Sequence, residues 1–153
     1  MIRTTAYKMA QRFVGVSEVP GSMDNPLVLA MLRLDFNWPT SDEVPWCSGF
    51  CNFVCWLLNL PRSHSLLARS WLSVGTPIDI EEARPAFDVV VLSRGDGPQP
   101  GPLNHTAPGH VGFFSELNPE NDQVMLLSGN QNNKVSYSYY PADRVLGVRR
   151  LKI

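Results

Sequence analysis

The chain has 153 residues, of which 44% are hydrophobic and 18% charged, with a net charge of −1 and a pI of about 6.3. That length can bury a real core as one domain spanning 1–153 and leaves no room for a separate binding module of usual size. The near-neutral charge argues against a general nucleic-acid binder and against stable electrostatic attachment to a membrane. No apolar run approaches the roughly 20 residues that cross a bilayer.

Met1 to Lys8 lacks the apolar centre of a signal peptide, so synthesis in a cytoplasm is expected. Residues 4–16 read as a first helix: Ala6, Met9, Ala10, Phe13 and Val14 form an apolar stripe, Thr5 caps it and Gly15 ends it. A turn-rich loop from Ser17 to Asn25 follows, centred on Pro20-Gly21. Asn25-Pro26 opens a second helix that runs to about Leu34, with Asn25 as cap and Pro26 in the first helical position. Asp35 to Val44 is a loop carrying aromatic and acidic residues.

The next stretch organises the chain. Pro45 resists continuing a helix from upstream, and from Cys47 onward Cys47, Phe50, Cys51, Val54, Leu57 and Leu58 recur at helical spacing until Leu60-Pro61. Cys47 therefore lies in the first turn of a helix with one buried face. Free N–H groups and the positive dipole end favour a thiolate there, and the thiolate is the nucleophilic form. Cys51 and Cys55 fall one and two turns further on and read as core. Three cysteines in one helix do not make a disulfide framework and suit a reducing compartment. They also lack the converging segments of a zinc site.

Ser65 to Leu72 is helical in pattern and Gly75-Thr76-Pro77 breaks it. The texture then turns to strands: Ala86–Leu92, His110–Leu117, Gln123–Asn130, Lys134–Tyr140 and Val145–Ile153. Arg94 to Gly109 is a long loop rich in Gly and Pro. Helices first and an antiparallel sheet second predict an α+β domain with the helices packed on one sheet.

A cysteine hydrolase needs a base and a group to hold it. His64 sits in a polar loop and His105 inside the Gly/Pro loop, whereas His110 opens a strong strand directly after Pro108-Gly109. A strand start beside a loop is where a scaffold presents a side chain to a cleft. With Asn118–Asp122 as a five-residue turn, Leu117 pairs with Gln123 and His110 with Asn130. An Asn amide accepts the imidazole N–H and fixes its tautomer. A slip of one residue brings Gln131 to that face instead, and Ser128 is a further candidate. Asp88 either sits near the site or caps its strand. No Asp-x-Asp-x-Asp-Gly loop occurs, so no metal or other cofactor is expected.

Asp42-Glu43-Val44-Pro45-Trp46-Cys47-Ser48-Gly49-Phe50, Phe87-Asp88-Val89-Val90-Val91, Gly109-His110-Val111-Gly112-Phe113 and Ser128-Gly129-Asn130-Gln131 resemble, in order and spacing, the cysteine, histidine-dependent amidohydrolase/peptidase (CHAP) family. The likeness covers most of the chain, including Glu18-Val19-Pro20-Gly21 and the helix start at Asn25-Pro26, and is greatest to small phage and prophage lysins. It implies a papain-like fold and cleavage of peptidoglycan, at the amide between muramic acid and L-Ala or within the stem peptide. Cys47 is then the nucleophile and His110 the general base and acid. Many members carry an acid followed closely by Asn at the third position. Here Ser128-Gly129-Asn130 supplies no carboxylate, so an amide alone orients His110 or Glu116 or another acid reaches in. The loop from Asn37 to Trp46 must supply the second oxyanion donor if that donor is a side chain. Loops around Trp38, Trp46 and Trp71 are expected to line a substrate groove.

The resemblance implies an endolysin-like hydrolase with peptidoglycan as its partner, acting on the wall after release from the cytoplasm; a monomer is expected. The alternatives are a secreted antibacterial amidase effector with the same chemistry, a catalytically silent wall-binding protein, and an intracellular thiol hydrolase of small amides.

Overall fold

The computed structural model describes residues 3–20 and 23–153. Gly21 and Ser22, and with them half of the Pro-Gly turn and the end of the Glu18–Gly21 match, lie outside the described residues, as do Met1 and Ile2. The elements run α1 (Ala6–Gln11), α2 (Pro26–Leu32), α3 (Cys47–Leu57), β1 (Thr76–Ile78), β2 (Asp88–Ser93), β3 (Gly109–Asn118), β4 (Gln123–Gln131), β5 (Lys134–Pro141) and β6 (Val145–Arg150). Short 3-10 helices occupy Ala68–Ser73, Ile80–Glu82 and Ala142–Arg144. The strands form one antiparallel sheet in the order β1-β6-β2-β3-β4-β5. This is a papain-like α+β fold with the helices ahead of the sheet in the chain. No helix among the described residues is long and apolar enough to cross a membrane.

The helix starts follow from their caps. Thr5 accepts from the Lys8 N–H at 3.1 Å, and Asn25 Oδ1 accepts from the Leu27 N–H at 2.9 Å with Pro26 behind it. Both short helices end earlier than their apolar stripes: α1 gives way to turns after Gln11, and Gly15 turns the chain at φ +98° so that its N–H reaches Val135. The segment expected to be helical near Ser65–Leu72 is a 3-10 helix from Ala68. The sheet gains the three-residue edge strand β1, which pairs with β6 where only a break was expected.

The core has two compartments because β2 is buried on both faces. Val89 and Val91 face the helices with Phe50, Val54, Val111, Phe113 and Leu127. Val90 and Leu92 face the other way with Phe114, Val124, Leu126 and Val148. The unbroken β-branched run from Val89 to Val91 is what such a strand requires. Asp88, fully buried at the start of β2, takes a bidentate contact from Arg150 at 2.9 Å for each nitrogen, and also accepts from the Arg84 N–H. It ties the strand's first residue to β6, at the other end of β2 from His110's neighbour Leu92.

Candidate active site

Cys47 is the first residue of α3 and only 4% exposed. The preceding Trp46 offers no side-chain cap, and the first intrahelical bond runs from Phe50 N–H to Trp46 C=O. The N–H groups ahead of Phe50 are therefore left for an anion. The approach to Cys47 is anchored from below. Asp42, buried, accepts from the N–H groups of Val19 and Asn25 at 2.8 Å each, and the Trp46 indole donates to Glu18 at 2.8 Å. Gly129 of β4 lies under the helix start: a Cβ there would come within 2.6 Å of the Trp46 ring and 2.9 Å of Phe50 Cβ. Only a glycine lets α3 approach the sheet this closely.

His110 lies at the start of β3, opposite Leu92, and its charge is coupled to that of the Cys47 thiol. Its Nε2 donates to Gln131 Oε1 at 2.9 Å. The amide of Gln131 is oriented by its own Nε2, which donates to the carbonyls of Ser136 at 2.5 Å and Leu126 at 3.3 Å. Its oxygen must then point at His110, so Nε2 carries the proton and Nδ1 is the nitrogen left for Cys47. Tyr140 donates to the same Oε1 at 2.9 Å and packs its ring against the imidazole, with centroids 5.2 Å apart.

Burial alone would push the Cys47 thiol up, but the charge and hydrogen bond of His110, aided by backbone at Val111 and Ser48, hold it below the ordinary thiol value. Burial likewise pulls His110 down, while the Cys47 thiolate and then Gln131 lift it above the ordinary imidazole value. The two shifts describe one thiolate–imidazolium pair. Burial raises Cys51 well above an ordinary thiol, and Cys55 is pushed up to about 12 by burial, partly offset by Arg62. Burial, reinforced by the Cys47 charge, moves Tyr140 up to about 12 and keeps it a donor.

The expected partner of His110, Asn130, is not the one that meets it. Between the pairs Ser128↔Ser136 and Gln131↔Lys134, the two residues Gly129 and Asn130 oppose the single Val135. Asn130 takes up this extra residue at φ +59°, and Gln131 turns to the face that an unbroken strand would have given Asn130. Ser128 instead donates to the Val111 carbonyl at 2.6 Å, bracing β3 beside His110. Glu116 bonds the Tyr139 hydroxyl at the surface near the turn end of β3. His64 is exposed and sits 3.4 Å from Asp35.

Beside Cys47 opens a groove of about 460 Å³ with apolar walls from Trp38, Val44, Leu66, Leu67 and Pro108. Of the three tryptophans expected there, Trp38 is 58% exposed and lines it, whereas Trp46 and Trp71 are fully buried and donate to Glu18 and Ser48. The Trp46 indole is thus engaged and is no oxyanion donor. One wall is held by Arg69, a fully buried guanidinium that donates to the carbonyls of Pro100, Gly101 and Pro108 and packs against Gly109. Nothing in the sequence around Arg69 marks this clamp, nor the contacts of Tyr140; Gln131 was visible as the product of a register slip. A larger groove of about 700 Å³, lined by Arg3, Lys8, Lys152 and Phe87, holds none of these reactive groups. Among the described residues no group of three His, Cys, Asp or Glu is placed to hold a metal ion.

No protein-family profile matches the chain, and no curated protein matches it. Among solved structures it is similar to NlpC1 from Trichomonas vaginalis, with a TM-score of 0.54 and 18% identity over 95% of this chain. The match spans 42% of the NlpC1 chain, and at this identity the likeness is one of fold.

Proposed function

We propose that the protein is a cysteine-dependent peptidoglycan hydrolase of the CHAP type, cutting an amide of the bacterial wall as an N-acetylmuramoyl-L-alanine amidase or a stem-peptide endopeptidase. The observation that carries this reading is the buried pair of Cys47 at a helix start and His110, whose far nitrogen is held by Gln131 at 2.9 Å. The similarity of fold to NlpC1 supports it.

In this mechanism the Cys47 thiolate attacks the amide carbonyl. The oxyanion forms beside the free N–H groups of the first turn of α3. His110 passes the proton on Nδ1 to the leaving amine, the C–N bond breaks, and a thioester to Cys47 remains. Water then gives a proton to His110 and its hydroxide to the carbonyl, and the thiolate leaves. Gln131 and Tyr140 are positioning residues: they hold the imidazole through Nε2 and do not touch the substrate. A silent wall-binding protein has no need of a lowered thiol beside a raised imidazole.

The test is digestion of purified Gram-negative peptidoglycan by wild type and Cys47→Ala, with mass spectrometry of the fragments. Free stem peptides beginning at L-Ala identify an amidase, and shortened or uncrosslinked muropeptides an endopeptidase. Absence of any fragment from wild type counts against the reading.

A further inference from the structure

Arg94 follows the last residue of β2, whose pairing Ser93↔Gly109 lies next to Leu92↔His110. The sheet therefore fixes its backbone one step beyond the residue facing the base. Arg94 lines the groove at Cys47, and among the described residues no acid lines it. Among the described residues Arg94 has no ion pair. Two other guanidiniums lie nearby: Arg144 donates to the Ser93 and Gly95 carbonyls that flank Arg94, and the buried Arg69 donates through Nε and one Nη to three backbone carbonyls, its other Nη having no partner. The groove thus offers apolar walls, the Thr106 side chain and one exposed, uncommitted cation.

A ligand amine finds no counter-charge in such a groove, and a neutral peptide leaves the guanidinium without a partner. A carboxylate matches its planar fork bidentately, between apolar walls that thin the competing water. From this we infer that Arg94 selects the substrate: it receives a carboxylate next to the amide that Cys47 attacks, so that the preferred ligand is an acidic peptide. This rests on the reading of Cys47 as the nucleophile of an amide hydrolase. In a wall stem peptide the α-carboxylate of γ-linked D-glutamate and the carboxylates of diaminopimelate have that chemistry. Amidated stems lack it. Arg94 also acts on the reaction centre at range, since its positive charge opposes protonation of His110.

The experiment uses N-acetylmuramoyl-L-alanyl-γ-D-glutamyl-diaminopimelate with free carboxylates and its fully amidated analogue. Binding of each is titrated calorimetrically to Cys47→Ala at low salt, and cleavage of each is followed with wild type. The acidic ligand should bind about tenfold more tightly, the usual size of one charge-assisted contact. Adding Arg94→Gln should narrow the ratio to within about twofold, and Arg94→Lys should retain part of it. Equal binding of the two ligands, a ratio that survives Arg94→Gln, or no binding of the acidic ligand overturns the inference. Binding preference without cleavage would sink the hydrolase reading and leave the role of Arg94 as a carboxylate receptor standing. Cleavage without preference does the reverse.

Discussion

Gln131 holds His110 from behind: His110 Nε2 donates to Gln131 Oε1 at 2.9 Å, while Gln131 Nε2 is fixed by two backbone carbonyls. An amide so anchored sets the tautomer without adding a charge. Gln131→Ala should lower kcat/KM roughly 10- to 100-fold, a part of what general acid–base catalysis contributes. KM should change little. It should also lower the His110 pKa, because Gln131 lifts it, and so bring the alkaline limb of the rate profile to lower pH.

Asn130 gives the matching control. Its φ of +59° is the left-handed conformation that glycine tolerates best. Asn130→Gly should leave the rate within about twofold, whereas Asn130→Val should cost stability of about 1–2 kcal/mol. Steady-state rates beside thermal unfolding separate the two effects. A large rate loss in Asn130→Gly would make Asn130 the orienting residue after all.

The pH dependence follows from the two shifts. The thiolate of Cys47 forms above its lowered pKa, and the imidazolium of His110 persists below its raised one. The active pair exists between them, so kcat/KM should be bell-shaped, rising through the first and falling through the second. His110→Ala removes the charge that offsets burial, and the thiol should move above its ordinary value. Rates of alkylation by iodoacetamide against pH report both.

The three thiols should differ in kind. Cys47 should react with iodoacetamide at neutral pH, one equivalent per chain, while Cys51 and Cys55, raised by burial, react only on unfolding. Peptide mapping after brief labelling checks this, and label on Cys51 in the folded protein would contradict it.

Gly129→Ala should destabilise the fold by roughly 1–3 kcal/mol, the usual cost of overpacking, because its Cβ meets the Trp46 ring at 2.6 Å. The same push displaces the residue ahead of Cys47, so activity should fall even where the protein remains folded. Chemical denaturation and rate measurement on one preparation distinguish the two losses.

Much of the fold was legible because its signals are local. The helical spacing from Cys47 to Leu58 located α3, and β-branched and alternating runs located β2 to β6. The pairing of β3 with β4 was half legible. The turn is one residue shorter than expected, with Asn118 opposite Gln123, but a bulge at Ser115 restores the expected pairs Phe114↔Leu126 and Phe113↔Leu127. The second bulge, at Gly129-Asn130, changes which amide meets His110, and alternation carries no mark of it. Gly129 is small because Trp46 lies on it, a contact between residues 83 positions apart in the chain. The strand β1 escaped notice because it has three residues, two of them exposed and one a proline. Trp46 and Trp71 read as groove residues because composition does not tell a buried indole from an exposed one.

The most direct test is to trap the acyl-enzyme. Wild type is mixed with excess peptidoglycan fragments, quenched in acid within one turnover and mapped by mass spectrometry. A thioester adduct on the peptide containing Cys47, absent from Cys47→Ala and accumulating when His110 is replaced by a weaker base, is the predicted result. Fragment release by Cys47→Ala at the wild-type rate, with no adduct on Cys47, would contradict it and remove Cys47 as the nucleophile.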